Sequence, residues 1–182
     1  NPLNFPAWSP ENNELGSCLA DIQGKLLVGS IVELNKYFDF NTSIAKELRG
    51  RDIDLISGGP PCQSFSMAGQ RQHENKRNTL PMDFVNLVNT TRPKIALLEN
   101  VSGILRAFSL PTGKHYAWFE VAKAFASKGY YPLCLHVNAK YCGAAQNRPR
   151  FILIALREDI FFKYKERTKE PVILNVLSKI EN

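Results

Sequence analysis

Paired cysteines, long hydrophobic runs and an excess of acidic residues are all missing from this 182-residue sequence. Its four cysteines include no Cys-x-x-Cys pair, which argues against a zinc knuckle or a dense disulfide framework and favours a reducing compartment. No apolar stretch approaches the roughly 20 residues that cross a bilayer. The polar, proline-rich first residues are unlike a signal peptide. We therefore expect neither a metal site nor a membrane anchor.

Composition and charge fit one globular domain with a basic surface. Hydrophobic residues make up 44% and charged residues 22% of the chain, which is enough apolar material for a core. The 23 lysines and arginines outnumber the 17 aspartates and glutamates, which gives a net charge of +6. Such an excess is compatible with a polyanionic partner, and equally with an ordinary solvated basic surface.

Hydrophobic periodicity predicts strands that alternate with helices. Short apolar runs predict strands at 24–29, 53–57, 95–98, 130–137 and 151–156. Apolar residues at helical spacing predict helices at Leu80–Thr91 and 115–128, a short helix from Thr42 or Ser43 to Leu48, and an ambiguous segment at Ile31–Phe40. The alternation predicts an α/β fold with a mainly parallel sheet, whose crossovers put the strand ends near Cys62 and Glu99 on one edge.

Three regions follow from this pattern of elements. We expect an irregular N-terminal segment at 1–23, a core at 24–157, and a charged C-terminal extension at 158–182 that leaves the domain.

Cys62 is the first candidate for chemistry. It follows the predicted strand 53–57 after two glycines that allow a sharp turn and two prolines that stiffen it. Open α/β sheets bind their ligands beyond the carboxyl ends of the strands, so a thiol held there is a candidate nucleophile. The remaining cysteines, Cys18, Cys134 and Cys142, we interpret as small buried apolar residues.

Glu99 directly follows the predicted strand 95–98, at the edge of the core. Desolvation at such a position would raise the pKa of the carboxyl group and let it hold a proton near neutrality. The alternatives are a helix cap or a surface ion pair.

Two basic segments complete the set of candidates. Arg148 and Arg150 stand two residues apart before the strand 151–156, and would project in one direction if extended. Such a pair can hold a phosphate or a carbonyl oxygen, although it can also be an ordinary basic strand edge. The polar loop 69–79, with Arg71 and Arg77, is either a lid over a polyanion or a solvated loop.

Together these stretches resemble the DNA (cytosine-5) methyltransferases. Residues 59–66 (GPPCQSFS) resemble the nucleophile loop of that family, and residues 77–80 (RNTL) resemble the segment that closes it. Residues 99–101 (ENV) resemble its acid motif, and residues 146–150 (QNRPR) its Gln-x-Arg-x-Arg motif. All four occur in the family's order, within residues 24–157.

The resemblance implies a Rossmann-like, S-adenosylmethionine-dependent methyltransferase fold, present in part. It implies that the Cys62 thiolate attacks C6 of cytosine, so that C5 accepts the methyl group. Glu99 would contact N3 and the exocyclic amine, Arg150 would hold O2, and Arg148 would steady the loop or a phosphate. The attacked atoms lie inside the duplex stack, so the base must be flipped out.

The resemblance also assigns binding residues. The implied partner is double-stranded DNA with a flipped cytosine, contacted by Gln63, Ser66, Arg71, Arg77 and Gln146. The implied contacts to S-adenosylmethionine are Ser30, Ile31, Gly59, Pro61 and Leu80. The implied location is the cytoplasm of a bacterium or the nucleus of a eukaryote.

The sequence departs from the family pattern in three respects. It shows neither the glycine-rich cofactor loop nor the acid that binds the ribose, it has Ser30 where the family usually has Asp, and it lacks the C-terminal recognition region. We expect a piece of a larger enzyme, either truncated or completed by a complementary polypeptide, and inactive alone. The alternatives are a tRNA cytosine-5 methyltransferase and a non-catalytic DNA-binding relative. A cysteine hydrolase is disfavoured because the three histidines show no supporting pattern.

Overall fold

A computed structural model describes residue 27 and residues 29–61, 79–110 and 113–168. These residues form five α-helices and six strands. The helices are α1 (Ile31–Phe40), α2 (Thr42–Gly50), α3 (Leu80–Thr91), α4 (Ala117–Ser127) and α5 (Glu158–Thr168). The strands are β1 (Leu55–Gly58), β2 (Ile95–Val101), β3 (Ala107–Leu110), β4 (Gly113–Tyr116), β5 (Tyr130–Asn138) and β6 (Pro149–Arg157). None of the helices in these ranges is long and apolar enough to cross a membrane.

Four of the strands form one sheet in the order β1-β2-β6-β5, and β3 and β4 form a separate hairpin. The predicted α/β class is confirmed, but the described sheet is mixed rather than mainly parallel. Only β1 and β2 pair in parallel there, whereas β6 runs antiparallel to both β2 and β5. The physical reason is the short connection from Asn138 to Pro149, which has no room for a crossover helix and returns the chain antiparallel.

Local features of the sequence explain where three of the helices begin or end. The ambiguous segment Ile31–Phe40 is helical, because the Ser30 hydroxyl accepts a hydrogen bond from the Val32 N–H (3.2 Å) and caps the first turn. The predicted helix Leu80–Thr91 is confirmed, with Pro81 in its first turn and Arg92 in the left-handed conformation after its end. Helix α4 begins at Ala117 because the two preceding residues pair with β3.

The core lies between one face of the sheet and helices α3 and α4. Alternate residues of β2 and β6 point to this face, and Ala96, Leu98, Leu153 and Ala155 are 0% exposed. They pack against buried side chains of both helices, including Phe125 of α4. Helices α1 and α2 pack on the outer side of α3 around a second small cluster.

The first part of the predicted C-terminal extension lies on the sheet instead of leaving the domain. Helix α5 packs on β5 and β6, and the ring of Phe161 stacks on that of Tyr131 at 3.9 Å between centroids. This stacking of partly exposed aromatic rings contributes to holding the helix on the sheet.

Two of the cysteines that the sequence analysis interpreted as buried differ in their exposure. Cys134 is half-buried in β5, and burial raises the pKa of its thiol, in keeping with an apolar role. Cys142 is exposed, so its predicted burial is wrong. It ends a single 3₁₀ turn, Ala139–Cys142, in which none of the described residues is buried. Cys18 and Cys62 lie outside the described residues.

A charged cluster closes the edge of the sheet where β1 and β2 begin and β6 ends. Lys94 pairs with Asp52 and Asp54, each at 2.8 Å, and Arg157 pairs with Asp159 at 2.7 Å. These hydrogen bonds lower the pKa of Asp52 and of Asp159. Ionic contacts therefore occupy this edge, and the opposite edge carries the candidate site.

Substitution of Gly58 tests how closely β1 packs on α3. A Cβ at Gly58 would lie 2.6 Å from the ring of Phe84, which is itself only 3% exposed. We expect Gly58→Ala to destabilise the protein by about 1–3 kcal/mol, because the ring must move within a packed core. Urea unfolding of the variant measures this loss.

Gly50→Ala is the matched control. Nothing lies within 4 Å of a Cβ at Gly50, which is the last residue of α2. Its stability should stay the same or rise slightly, since alanine has the higher helix propensity. Equal stability of the two variants would contradict the packing described here.

Candidate active site

The candidate site lies at one edge of the sheet, called here the rim. The rim comprises the ends of β1, β2 and β5 and the start of β6, because β6 runs opposite to its neighbours. It brings together three segments that are far apart in sequence: the Gly59–Pro61 turn, Glu99 to Val101, and the residues before Arg150. Three of the four predicted motifs therefore have described residues at the rim.

The turn after β1 lies directly against Glu99. Gly58 pairs with Leu98 in the parallel register, so the next residue, Gly59, comes beside Glu99. A Cβ at Gly59 would lie 3.3 Å from Oε2 of Glu99. The absence of a side chain at Gly59 thus lets the carboxylate approach the backbone that leads to Cys62.

Glu99 and Arg150 form an ion pair at the rim. Val101 pairs with Arg150 across β2 and β6, so Glu99 and Arg150 are diagonal neighbours on one face of the sheet. Nε of Arg150 lies 2.7 Å from Oε1 of Glu99. This Nε is buried but makes no aligned hydrogen bond, while Nη1 donates to the Pro149 carbonyl at 2.9 Å. The contact is therefore mainly electrostatic, and one guanidinium donor lacks a well-directed acceptor.

The setting of Glu99 differs from the one that the sequence suggested. Glu99 lies within β2 instead of after its end, because β2 continues to Val101. Its side chain is 42% exposed and is held by the Arg150 guanidinium. A surface-type ion pair, one of the alternatives left open, describes this carboxylate better than desolvation at the core edge.

Asn100 is a site residue to which the sequence analysis gave no role. It is 3% exposed, and its Nδ2 donates to the Pro60 carbonyl at 3.2 Å. Its Oδ1 accepts from the Val101 N–H at 2.8 Å. The side chain thus ties the proline turn to β2. A signal for this role is present in the sequence. Alternate residues of β2 are buried, starting with Ala96 and Leu98, and the next buried position is occupied by an amide that needs hydrogen-bond partners.

The remaining predicted residues divide between the rim and the undescribed part of the chain. Arg148 is exposed just before β6, and its backbone N–H donates to Oδ1 of Asn138 at 3.1 Å. Gln146 is exposed in the same connection. Outside the described residues lie Cys62, Gln63, Ser66, Arg71 and Arg77.

A cavity of about 450 Å³ opens beside the turn after β1. Its lining includes all five residues predicted to bind the cofactor: Ser30, Ile31, Gly59, Pro61 and Leu80. The rest of the lining is mainly backbone of glycine and proline together with the side chains of Ile56, Phe84 and Leu87. The size and apolar character are those of a small-molecule site with few polar groups.

Comparison with known proteins places this geometry in a family. Residues 31–181 match the model of the family of C-5 cytosine-specific DNA methylases. The chain belongs to this family.

Two relatives are named as type II methyltransferases. The chain is 40% identical over 109 residues to the type II methyltransferase M.DdeI of Desulfomicrobium norvegicum. This alignment covers 59% of the chain and 26% of that relative. It is 34% identical over 132 residues to the type II methyltransferase M.AquIA of Picosynechococcus. This alignment covers 70% of the chain and 53% of that relative. The chain thus spans only a quarter to a half of the length of these proteins.

Solved structures agree on the fold. A protein described as a DNA modification methyltransferase encoded within an E. coli prophage superimposes with a TM-score of 0.51 at 26% identity, covering 75% of this chain and 35% of that one. The Entamoeba histolytica methyltransferase EhMeth gives a TM-score of 0.51 at 14% identity, covering 84% of this chain and 44% of that one. The fold is therefore that of the S-adenosylmethionine-dependent methyltransferases.

The cavity fits part of the cofactor that this family uses. Backbone of glycine and proline and apolar side chains suit the apolar surfaces of S-adenosylmethionine. Among the described lining residues, however, there is no carboxylate to bind a ribose or an amino group, and the Ser30 hydroxyl caps α1. The residues present fit a portion of the cofactor.

The tie between Asn100 and the proline turn can be tested by substitution. We expect Asn100→Ala to destabilise the protein by about 1–3 kcal/mol, because it removes a buried side chain and its two hydrogen bonds to part-buried backbone groups. Urea unfolding measures this loss. Asn86→Ala, at an exposed position of α3, should change the stability by less than about 0.5 kcal/mol. A stability of Asn100→Ala equal to that of Asn86→Ala would show that the tie contributes nothing.

Proposed function

We propose that this protein methylates C5 of cytosine in DNA through a covalent bond between Cys62 and C6 of the base. The observation that carries the proposal is the Glu99–Arg150 pair, 2.7 Å apart, beside the rigid turn that ends one residue before Cys62. Glu99 is in contact with the Arg150 guanidinium and lies against Gly59 of the turn. Membership of the C-5 cytosine-specific DNA methylase family supports DNA as the substrate.

The chemistry requires a nucleophile on one side of the ring and polar groups on the other. The Cys62 thiolate adds to C6, the Sγ–C6 bond forms, and the C5=C6 electron pair becomes available at C5. S-adenosylmethionine, when bound, would supply the methyl group to C5 and leave as S-adenosylhomocysteine, the bond from sulfur to methyl breaking as the bond to C5 forms. Transfer of the C5 proton to water and expulsion of the Cys62 thiolate would then restore the C5=C6 bond and free the enzyme.

Glu99 and Arg150 suit the activation of the ring. Negative charge that develops on the pyrimidine during thiolate addition is stabilised by donors placed in advance. Glu99, 42% exposed, would accept from the exocyclic amine with one oxygen and, when it carries a proton, donate to N3 with the other. Arg150, whose side chain is 21% exposed, would direct its guanidinium to O2. Their mutual contact holds both groups in position before the base arrives.

Binding of the other participants follows from the same rim. We place the cofactor in the cavity against Ser30, Ile31, Gly59, Pro61 and Leu80. A cytosine within a duplex is inaccessible to Cys62, so the proposal includes a flipped base. Arg148 and Gln146, both exposed at the rim, would contact the loop or the DNA backbone. The predicted DNA contacts Gln63, Ser66, Arg71 and Arg77 remain part of the proposal.

Covalent trapping tests the role of Cys62. A long mixed-sequence duplex in which 5-fluorocytosine replaces every cytosine contains each target sequence, so the target need not be known. With S-adenosylmethionine, the full-length protein that contains this chain should form a denaturation-resistant adduct, because fluorine at C5 blocks the final elimination. Cys62→Ser should form none, and Glu99→Gln should form it about 10²–10⁴-fold more slowly.

Cys134→Ala is the matched control, since Cys134 lies in the middle of β5, away from the rim. It should form the adduct at the wild-type rate. An adduct that still forms with Cys62→Ser would contradict the proposed nucleophile. If the wild-type protein forms no adduct, the result would favour a non-catalytic relative.

We also propose that the activity needs segments besides the 182 residues studied. The described cavity lining contains no carboxylate, and the chain spans 26% of M.DdeI. A methyl-transfer assay on the 182-residue chain, with duplex DNA and with tRNA as substrates, should detect no turnover. Robust turnover by this chain would overturn the proposal, and turnover on tRNA alone would replace DNA with RNA as the substrate.

A further inference from the structure

A second feature of the rim is a 3₁₀ turn, Ala139–Cys142, which connects β5 towards β6. It carries Tyr141, whose side chain is 80% exposed, more than the other exposed large hydrophobic residues of the described chain. Nζ of Lys140 lies 4.6 Å from the centroid of the Tyr141 ring. The turn thus presents an aromatic ring and an ammonium group to solvent, side by side.

The turn is held in a fixed position by its backbone. Oδ1 of Asn138 accepts from the N–H of Lys140 at 3.3 Å and from the N–H of Arg148 at 3.1 Å. Nδ2 of Asn138 donates to Oδ1 of Asn147 at 2.8 Å. One side chain therefore joins the turn to the segment that enters β6, and fixes Lys140 and Tyr141 relative to the site residue Arg150.

The charge around the turn favours a polyanion as its partner. In the described residues of the rim, 59–61, 99–101 and 139–150, the only acidic residue is Glu99, which is paired with Arg150. The basic residues in these ranges are Lys140, Arg148 and Arg150. A cluster of positive charge raises the local concentration of phosphate groups, so it favours DNA over a basic or apolar protein surface.

We propose that the Ala139–Cys142 turn is a DNA contact, in which Lys140 binds a backbone phosphate and Tyr141 packs on the nucleotide beside the flipped cytosine. This inference rests on the proposed function for its substrate. Aromatic side chains stack on bases of any sequence, and an adjacent cation adds attraction to the phosphate. Because Asn138 fixes the turn relative to β6, the contact would position the strand with respect to Glu99 and Arg150.

Binding and trapping with three variants test this proposal. Fluorescence anisotropy with a mixed-sequence duplex measures affinity, and the 5-fluorocytosine adduct measures productive binding as a function of DNA concentration. Tyr141→Ala should weaken DNA binding about tenfold, whereas Tyr141→Phe should bind as the wild type does, because the ring makes the contact. Lys140→Gln should reduce the slope of log K against log salt by about 0.9, since one phosphate contact is lost.

Matched controls come from the helices away from the rim. Phe40 is an aromatic residue with 75% exposure at the far end of α1, and Lys46 is an exposed lysine of α2. Phe40→Ala and Lys46→Gln should leave both the affinity and the salt dependence unchanged.

The outcomes separate this proposal from the proposed function. If the wild type forms the adduct and Tyr141→Ala matches it at every DNA concentration, the contact is refuted and the function stands. If the wild type forms no adduct, the function fails, and anisotropy still decides the contact: weaker binding by Tyr141→Ala supports it. The proposed DNA contact is overturned if Tyr141→Ala binds DNA as tightly as the wild type does, or if the wild type does not bind DNA. Either result favours a protein partner for the turn.

Discussion

The parallel pairing of β1 with β2 is the constraint on which the site depends. It brings Gly59 beside Glu99, and the Asn100 side chain then ties the Pro60 carbonyl to β2 at 3.2 Å. A short strand followed by two glycines and two prolines would otherwise leave the direction of the chain open. The buried amide removes this freedom, so the backbone that leads to Cys62 departs from the sheet next to the carboxylate.

The insertion of β6 between β2 and β5 supplies the other half of the site. Because β6 runs antiparallel to β2, it begins where β2 ends, and Arg150 lies diagonally across from Glu99. The same reversal brings the connection 139–148 to the rim, together with Arg148 and the exposed Tyr141. A parallel β6 would have put these residues at the opposite edge, among the ion pairs of Lys94 and Arg157.

The sequence predicted the elements better than their directions. Hydrophobic periodicity located α3 and most of the central strands, because each buries one regular apolar face. It did not reveal the antiparallel β6, since strand direction is set by the length of the connection and by pairing with distant residues. It also missed the β3–β4 hairpin and the packing of α5 through Phe161 on Tyr131, both of which depend on contacts outside the local pattern.

The candidate site was predictable in its residues and less so in its environment. Motifs selected Glu99 and Arg150, which are in contact, and the five residues predicted to bind the cofactor line one cavity. The ion pair and the role of Asn100 arise only from the register between strands, which no local pattern encodes. Family membership explains why the motifs occur together, while the geometry explains how Glu99 and Arg150 meet.

A crystal structure of the protein trapped on 5-fluorocytosine DNA tests the central claim most directly. The account predicts a bond between Sγ of Cys62 and C6, with the Glu99 carboxylate at N3 and the exocyclic amine and the Arg150 guanidinium at O2 of the same ring. A base bound with Glu99 and Arg150 turned away from it, or with Cys62 enclosed in the apolar core, would contradict the account.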